Sequence, residues 1–223
     1  YRDREEMRRI NPGLGWAEAF YQRPYCRAYY AADEANPCHW MLHESVHQLN
    51  AEVAHLALAK WLEEGLADYF ATCQLRFDRL DLTTIDPNTY PVWWLDSLAS
   101  TPRLSENFTN GSVIPLRAIV TNHGGPDLDA QVNLYYLHWW TLTRFLLTDP
   151  RHQAAMPELI RRGGDLAAFE TLIGPVEVIQ DEWHAYVRDL KQQLIRQNLE
   201  VLKQRHRPHG TPAGLANPVT THE

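Results

Sequence analysis

Cysteine is scarce in this sequence, which has only three among its 223 residues: Cys26, Cys38 and Cys73. No two of them stand in the CxxC spacing of zinc knuckles and many redox motifs, so the cysteines do not predict a metal site of that kind. Two interpretations stay open. Either all three are buried thiols, or one disulfide forms between a pair that the sequence does not identify.

Positive charge is also scarce, since 21 lysines and arginines stand against 28 aspartates and glutamates and leave a net charge of −7. Nucleic-acid binding depends on clustered lysine and arginine, so this balance argues against a nucleic-acid partner. No run of 18 apolar residues occurs, and the richest stretch, residues 132–147, is interrupted by Asn133, His138 and Arg144. We therefore expect no transmembrane segment and interpret that stretch as a core helix.

Apolar residues make up 44% of the sequence, with 8 Trp, 10 Tyr and 6 Phe, which is ample for a core. The length fits one domain, which we predict over residues 1–205 with its core at 26–200. Residues 206–223 are polar and rich in proline and glycine, which predicts a flexible tail. The chain begins with Tyr1 and shows no export signal, so its location stays open; a secreted or periplasmic protein whose signal is missing from this chain is one alternative.

A histidine motif stands at residues 43–47, which read HESVH. Positions i and i+4 of a helix share a face, so His43 and His47 can direct their imidazoles at one metal ion. Glu44 lies beside them and can accept a proton from water that the ion activates. A hydrolytic zinc site normally has a third protein ligand and leaves the fourth position open. The motif therefore predicts a hydrolytic metal centre that takes one more ligand from elsewhere.

A second block, WLEEGLAD, offers Glu64 as that ligand. Asp68 follows it by four residues on the same helix face and can accept the free ring N–H of a ligand histidine. In one unbroken helix Glu64 would lie roughly 25 Å along the axis from His47, at about 1.5 Å per residue. The site therefore requires a chain reversal between residues 49 and 60, for which Asn50 is the best C-cap candidate.

Together the two blocks resemble the gluzincin metallopeptidases, in which HExxH is followed by a glutamate ligand on the next helix. They are most similar to the bacterial peptidase-MA-like group, whose pattern W-L-x-E-G-L-A-x-Y-F matches residues 61–70, WLEEGLADYF. The resemblance implies one zinc ion held by His43, His47 and Glu64, with Glu44 as the catalytic base.

The resemblance also implies a tyrosine near the metal, and it points to Tyr136 in a helix predicted over residues 129–148. A hydroxyl there could donate a hydrogen bond to a developing oxyanion. Tyr135 is the rival for this role. A metzincin site is excluded, because Asn50 and Val53 stand where that class has glycine and histidine.

The implied fold is mainly α: an α+β zincin-like domain with a small edge sheet upstream of the HExxH helix. The aromatic-rich segment 27–31 predicts a strand, and pairing of that strand with an extended substrate is our hypothesis for its role. Residues 77–128 are interpreted as mostly loop. Further helices are predicted at 151–162, 165–173 and 176–205.

Within the two motif helices the apolar spacing predicts which faces are buried. The first helix should begin at Asn36-Pro37 with Asn36 as its N-cap. Its predicted buried stripe consists of Leu42, Val46, Leu49 and Val53, and that of the second helix consists of Leu62, Leu66, Tyr69 and Cys73. Gly65 costs helix stability, which either close approach of the HExxH helix or simple tolerance would explain.

These features predict a zinc-dependent peptidase acting on a peptide or protein substrate. The Gly-x-Met-Glu-Asn motif that binds a free amino terminus in the aminopeptidase branch has no counterpart, which favours an endopeptidase. One alternative is a non-catalytic binding module that keeps a zinc site for stability. Another is a helical interaction protein whose HExxH is accidental, which would require an uninterrupted helix through residues 38–75.

Overall fold

The structure, a computed structural model, describes residues 1–14, 18–30, 32, 36–76 and 79–205. Within these residues the protein is mainly helical, and a small two-stranded sheet precedes the HExxH helix, as predicted. The predicted tail at 206–223 lies outside the described residues. No described helix has the length and apolar character that crossing a bilayer requires.

The described helices, in chain order, are α1 (Arg4–Ile10), α2 (His39–Glu52), α3 (Lys60–Ala71), α4 (Leu104–Asn110), α5 (Leu116–Thr121), α6 (Val132–Thr148), α7 (Met156–Arg161), α8 (Leu166–Leu172) and α9 (Val176–Arg205). Short 3-10 helices lie at Pro12–Leu14, Val92–Ser97 and Gln153–Ala155. The helices predicted after residue 128 match α6 to α9 closely. The expectation of mostly loop for residues 77–128 is wrong in part, because a strand, a 3-10 helix, α4 and α5 lie there.

The strands form two antiparallel pairs, β1 (Ala19–Gln22) with β2 (Tyr25–Ala28) and β3 (Cys73–Arg76) with β4 (Arg79–Ile85). The strand predicted at residues 27–31 is therefore displaced, since β2 ends at Ala28. A two-residue turn joins β1 to β2 and fixes where pairing begins. Beyond β2, the backbone N–H of Tyr30 donates to the carbonyl of Tyr1 instead of continuing the β1 pairing.

Helix α3 is the central element, because α2 packs on one side of it and α6 on the other. On the α6 side the packing is apolar and continues through α6 to α9, with Leu62, Trp139 and Trp183 all fully or almost fully buried. The predicted stripe of α3, including Leu66 and Tyr69, is buried as expected. A Cβ at Gly65 would collide with the Thr143 side chain and the Trp139 carbonyl oxygen, so this glycine admits α6, not the HExxH helix.

Helix α2 departs from its predicted orientation. Leu49 and Val53 are 56% and 70% exposed, whereas His39, His43 and Glu44 are buried. The predicted apolar stripe is therefore wrong in its C-terminal half, because α2 turns its polar face toward α3. The helix begins at His39 after an N-cap at Cys38, and the Asn36 side chain donates instead to the carbonyl of Ala71 at the end of α3.

The three cysteines all lie among the described residues, and none forms a disulfide. Cys73 is buried and donates its thiol hydrogen to the carbonyl of Tyr69, while Cys26 and Cys38 are half-buried. The interpretation as free thiols is confirmed, although only Cys73 is fully buried.

Candidate metal centre

The chain reverses between α2 and α3, as the site requires. Helix α2 ends at Glu52, and α3 begins at Lys60 after a connection in which His55 adopts a positive φ of 50°. Asn50 is not the C-cap that the sequence suggested. It remains helical, and its carbonyl instead accepts the N–H of Leu56 and so closes the turn. The alternative of a helical interaction protein with an accidental HExxH required one uninterrupted helix through residues 38–75. Because the helix is interrupted after Glu52, the structure does not support that alternative.

The reversal brings His43, His47 and Glu64 together into a group that could hold a metal ion, with one ligand atom from each within 4.8 Å of the others. The Nε2 atoms of the two histidines are 3.1 Å apart. Glu64 Oε2 lies 3.4 Å from His43 Nε2 and 3.6 Å from His47 Nε2. Three atoms that carry lone pairs thus converge on one point, an arrangement that a cation stabilises.

Asp68 lies directly behind His43, as the i+4 spacing from Glu64 predicted. The Nδ1–H of His43 donates to Asp68 Oδ1 at 2.9 Å, which leaves Nε2 to face the cluster. Although burial disfavours a charged His43, the hydrogen bond to Asp68 and the nearby Glu64 raise its pKa to about 10. Burial raises the pKa of Asp68 to about 6, against the opposing effect of His43. The cluster therefore attracts positive charge strongly, whether a proton or a metal ion supplies it.

These residues fit zinc. Two ligand atoms about 2.0 to 2.1 Å from a tetrahedral zinc are about 3.3 Å apart, which is close to the separations found between Nε2, Nε2 and Oε2. Glu64 is buried, with only 7% of its surface exposed. Its Oε2 accepts no hydrogen bond from any residue that the structure describes. An orphaned buried carboxylate oxygen is costly, and coordination to a cation would satisfy it.

Glu44 is buried beside the cluster, at 8% exposure. Burial raises the pKa of its carboxyl, while the histidines and the backbone N–H of Tyr21 act in the opposite direction. The two-residue turn makes Gln22 and Tyr25 a hydrogen-bonded pair. Hydrogen-bonded and non-hydrogen-bonded pairs alternate along an antiparallel ladder, so the backbone groups of Tyr21, the next residue of β1, point away from β2. The edge of β1 that faces away from β2 therefore borders the general-base candidate, and no other described strand pairs with it.

Tyr136, the proposed oxyanion donor, lies next to the cluster, with its ring centroid 6.4 Å from that of His43. Burial, followed by the negative charges of Glu64 and Asp68, raises the pKa of its hydroxyl, so it remains a proton donor. Its rival Tyr135 donates its hydroxyl hydrogen to the carbonyl of Pro126 and is thereby committed elsewhere. Of the two, Tyr136 is the tyrosine that the structure brings to the site.

The structure adds two residues that the sequence reasoning did not single out. Tyr90 packs on Tyr136 at a centroid distance of 5.3 Å, and no local sequence signal connects it to the motif. Lys60 donates from Nζ to Glu64 Oε1 at 3.0 Å. The spacing of four between Lys60 and Glu64 within a helix was the signal that could have found this contact.

In comparisons of the whole chain, no protein-family model, no curated protein and no solved structure matches it. The functional argument therefore depends on the residues and their geometry.

Proposed function

We propose that this protein is a zinc-dependent peptidase, in which His43, His47 and Glu64 hold one zinc ion. The observation that carries the proposal is the convergence of the two Nε2 atoms with Glu64 Oε2, which accepts no hydrogen bond from the described residues, at separations that suit a tetrahedral zinc. Zinc bound there would supply Lewis acidity, which makes water nucleophilic near neutral pH and polarises a peptide carbonyl.

Glu44 is the general base of the proposed reaction. Its carboxylate accepts a proton from the attacking water and then delivers it to the leaving nitrogen. Burial raises the pKa of Glu44, which makes it a stronger proton acceptor once ionised. Tyr136 stays protonated and donates a hydrogen bond from its hydroxyl group to the oxygen on which negative charge develops.

Asp68 fixes the tautomer and ring orientation of His43, so Nε2 is directed to the ion. On the substrate side, the edge of β1 beside Glu44 pairs with no other strand that the structure describes, whereas the outer edge of β2 is met by Tyr1, whose amino group donates to the carbonyl of Ala28. We therefore assign pairing with an extended peptide to β1 instead of the strand predicted at residues 27–31. Such pairing suits an endopeptidase, because it does not depend on a free chain end.

A peptide-library cleavage assay tests this proposal. We expect the wild-type protein to cleave and a chelator to stop it. Glu44→Gln should keep zinc but lose activity by about 100-fold or more, since general-base catalysis contributes that much. Glu177→Gln is the control, because the Glu177 carboxylate pairs with Arg117 and is not part of the ligand group.

Two outcomes would contradict the proposal in different ways. Cleavage by Glu44→Gln at the wild-type rate would remove Glu44 from the mechanism. A zinc-loaded wild-type protein that cleaves no peptide would favour the alternative of a non-catalytic binding module stabilised by zinc.

A further inference from the structure

The two oxygens of the Glu64 carboxylate have different surroundings. Oε1 accepts a hydrogen bond from Lys60 Nζ at 3.0 Å, whereas Oε2 accepts none from the described residues and lies 3.4 and 3.6 Å from the two histidine Nε2 atoms. A carboxylate can offer both oxygens to a cation or to donors. Here one oxygen is engaged by an ammonium group and the other faces the candidate metal position.

Lys60 is held in place from two directions. Its ammonium group lies 5.6 Å from the centroid of the Trp139 ring, within the range of a cation–π contact, as well as bonding to Glu64. Trp139 is almost fully buried in the contact between α3 and α6, so its ring is a rigid platform. The Lys60 side chain is 40% exposed.

Local helix physics does not account for a lysine at this position. Lys60 is the first residue of α3, where the helix dipole disfavours a positive charge by roughly 0.3 to 1 kcal/mol. What favours it is the local charge balance, because three buried carboxylates, those of Glu44, Glu64 and Asp68, lie in or beside the cluster. One divalent cation together with the Lys60 ammonium group would neutralise these three negative charges.

We propose that Lys60 is a positioning residue that restricts Glu64 to a single coordinating oxygen by occupying Oε1. The inference rests on the proposed metal site. A bound ion would then keep positions open for water and substrate, because Glu64 would offer it only Oε2. Carboxylates that bind metals are commonly fixed by hydrogen bonds of this kind.

Cobalt(II) in place of zinc provides a readout that does not depend on activity, because its visible absorption weakens as the number of ligands increases. Wild type, Lys60→Met and Lys60→Arg would be titrated with Co²⁺. Methionine keeps an unbranched apolar chain against Trp139 and removes the ammonium group, whereas arginine keeps the charge and the donors. We expect a loss of absorption per bound Co²⁺ in Lys60→Met and recovery of the wild-type spectrum in Lys60→Arg.

A Lys60→Met spectrum equal to that of wild type would overturn this inference and leave the metal site standing. An equal loss in Lys60→Met and Lys60→Arg would also overturn it, since side-chain shape and not charge would then be responsible. Failure of the wild-type protein to bind Co²⁺ or zinc would instead overturn the proposed metal site, and this inference with it.

Discussion

The two sides of α3 differ in what they bury. Toward α6 it buries apolar side chains, with Gly65 allowing close approach to Trp139 and Thr143. Toward α2 it buries carboxylates, Glu64 and Asp68, against His43 of the facing helix. Burying ionisable groups costs stability unless they are paired, so the polar side depends on the apolar side to hold the helix in place. The contrast shows that the α3–α6 contact supplies the apolar core, whereas the α2–α3 contact holds the candidate metal site.

The sharpest test of this contrast compares two leucines. Leu142 is fully buried on α6, and Leu49 is 56% exposed on α2. We expect Leu142→Ala to lower the free energy of unfolding by about 2 to 5 kcal/mol, because it leaves a cavity. Leu49→Ala should change it by less than about 0.5 kcal/mol. Urea unfolding measures both, and equal losses would mean that α2 buries the stripe that the sequence predicted.

The pH dependence of the free energy of unfolding tests His138, a buried histidine of α6. Its Nδ1–H donates to the carbonyl of Leu134 and its Nε2 accepts the N–H of Ile114, an arrangement that needs a neutral ring. Burial lowers its pKa to about 4, whereas the unfolded chain takes up the proton near pH 6.5. The stabilisation is therefore complete above pH 6.5 and is lost as the pH falls toward 4.

The size of that loss is on the order of 3 kcal/mol for His138. Burial also lowers the pKa of His39 to about 4, so wild type loses stability from both residues. Urea unfolding of chelator-treated protein at pH 7 and pH 4.5 would measure the loss, with His138→Gln expected to show a shallower pH dependence. An unchanged pH dependence in that variant would show that His138 does not contribute.

Gly65→Ala tests how closely α3 and α6 must approach each other. A Cβ at this position collides with backbone and side-chain atoms of α6, so we expect a loss of about 1 to 3 kcal/mol despite the better helix propensity of alanine. The melting temperature measures this, and Gly13→Ala serves as a control, because a Cβ at Gly13 meets no atom within 4 Å. A Gly65→Ala protein as stable as wild type would contradict the close contact with α6.

Asp68→Asn tests the side of α3 that faces α2, with a substitution that changes the shape of the side chain very little. The amide cannot match the carboxylate as an acceptor for the His43 Nδ1–H, so we expect zinc affinity to fall by about 10-fold or more. Competition with a chromophoric chelator gives the dissociation constant, and Glu177→Gln again provides the control. Unchanged affinity would mean that Asp68 does not orient His43.

Sequence reasoning recovered what depends on regular spacing. The i+4 relations of His43 with His47 and of Glu64 with Asp68 predicted which groups share a face, and the structure brings them together. The apolar spacing located α6 to α9 and the buried stripe of α3. These features are local, because helix geometry alone determines them.

The features that the sequence did not reveal depend on contacts between distant segments. The outward turn of Leu49 and Val53 follows from the packing of the polar face of α2 on α3, which hydrophobic periodicity does not anticipate. The position of Gly65 against α6 and of Tyr90 against Tyr136 likewise depends on tertiary contacts. The connection after α2 closes through the Asn50 carbonyl and a positive φ at His55, not through a conventional cap.

The central claim is that His43, His47 and Glu64 bind one metal ion, and elemental analysis of purified, zinc-saturated and dialysed protein tests it most directly. We expect one zinc ion per wild-type chain, a clear loss in Glu64→Ala, and full retention in Glu177→Ala. A wild-type protein without zinc, or a Glu64→Ala protein with full zinc content, would contradict it.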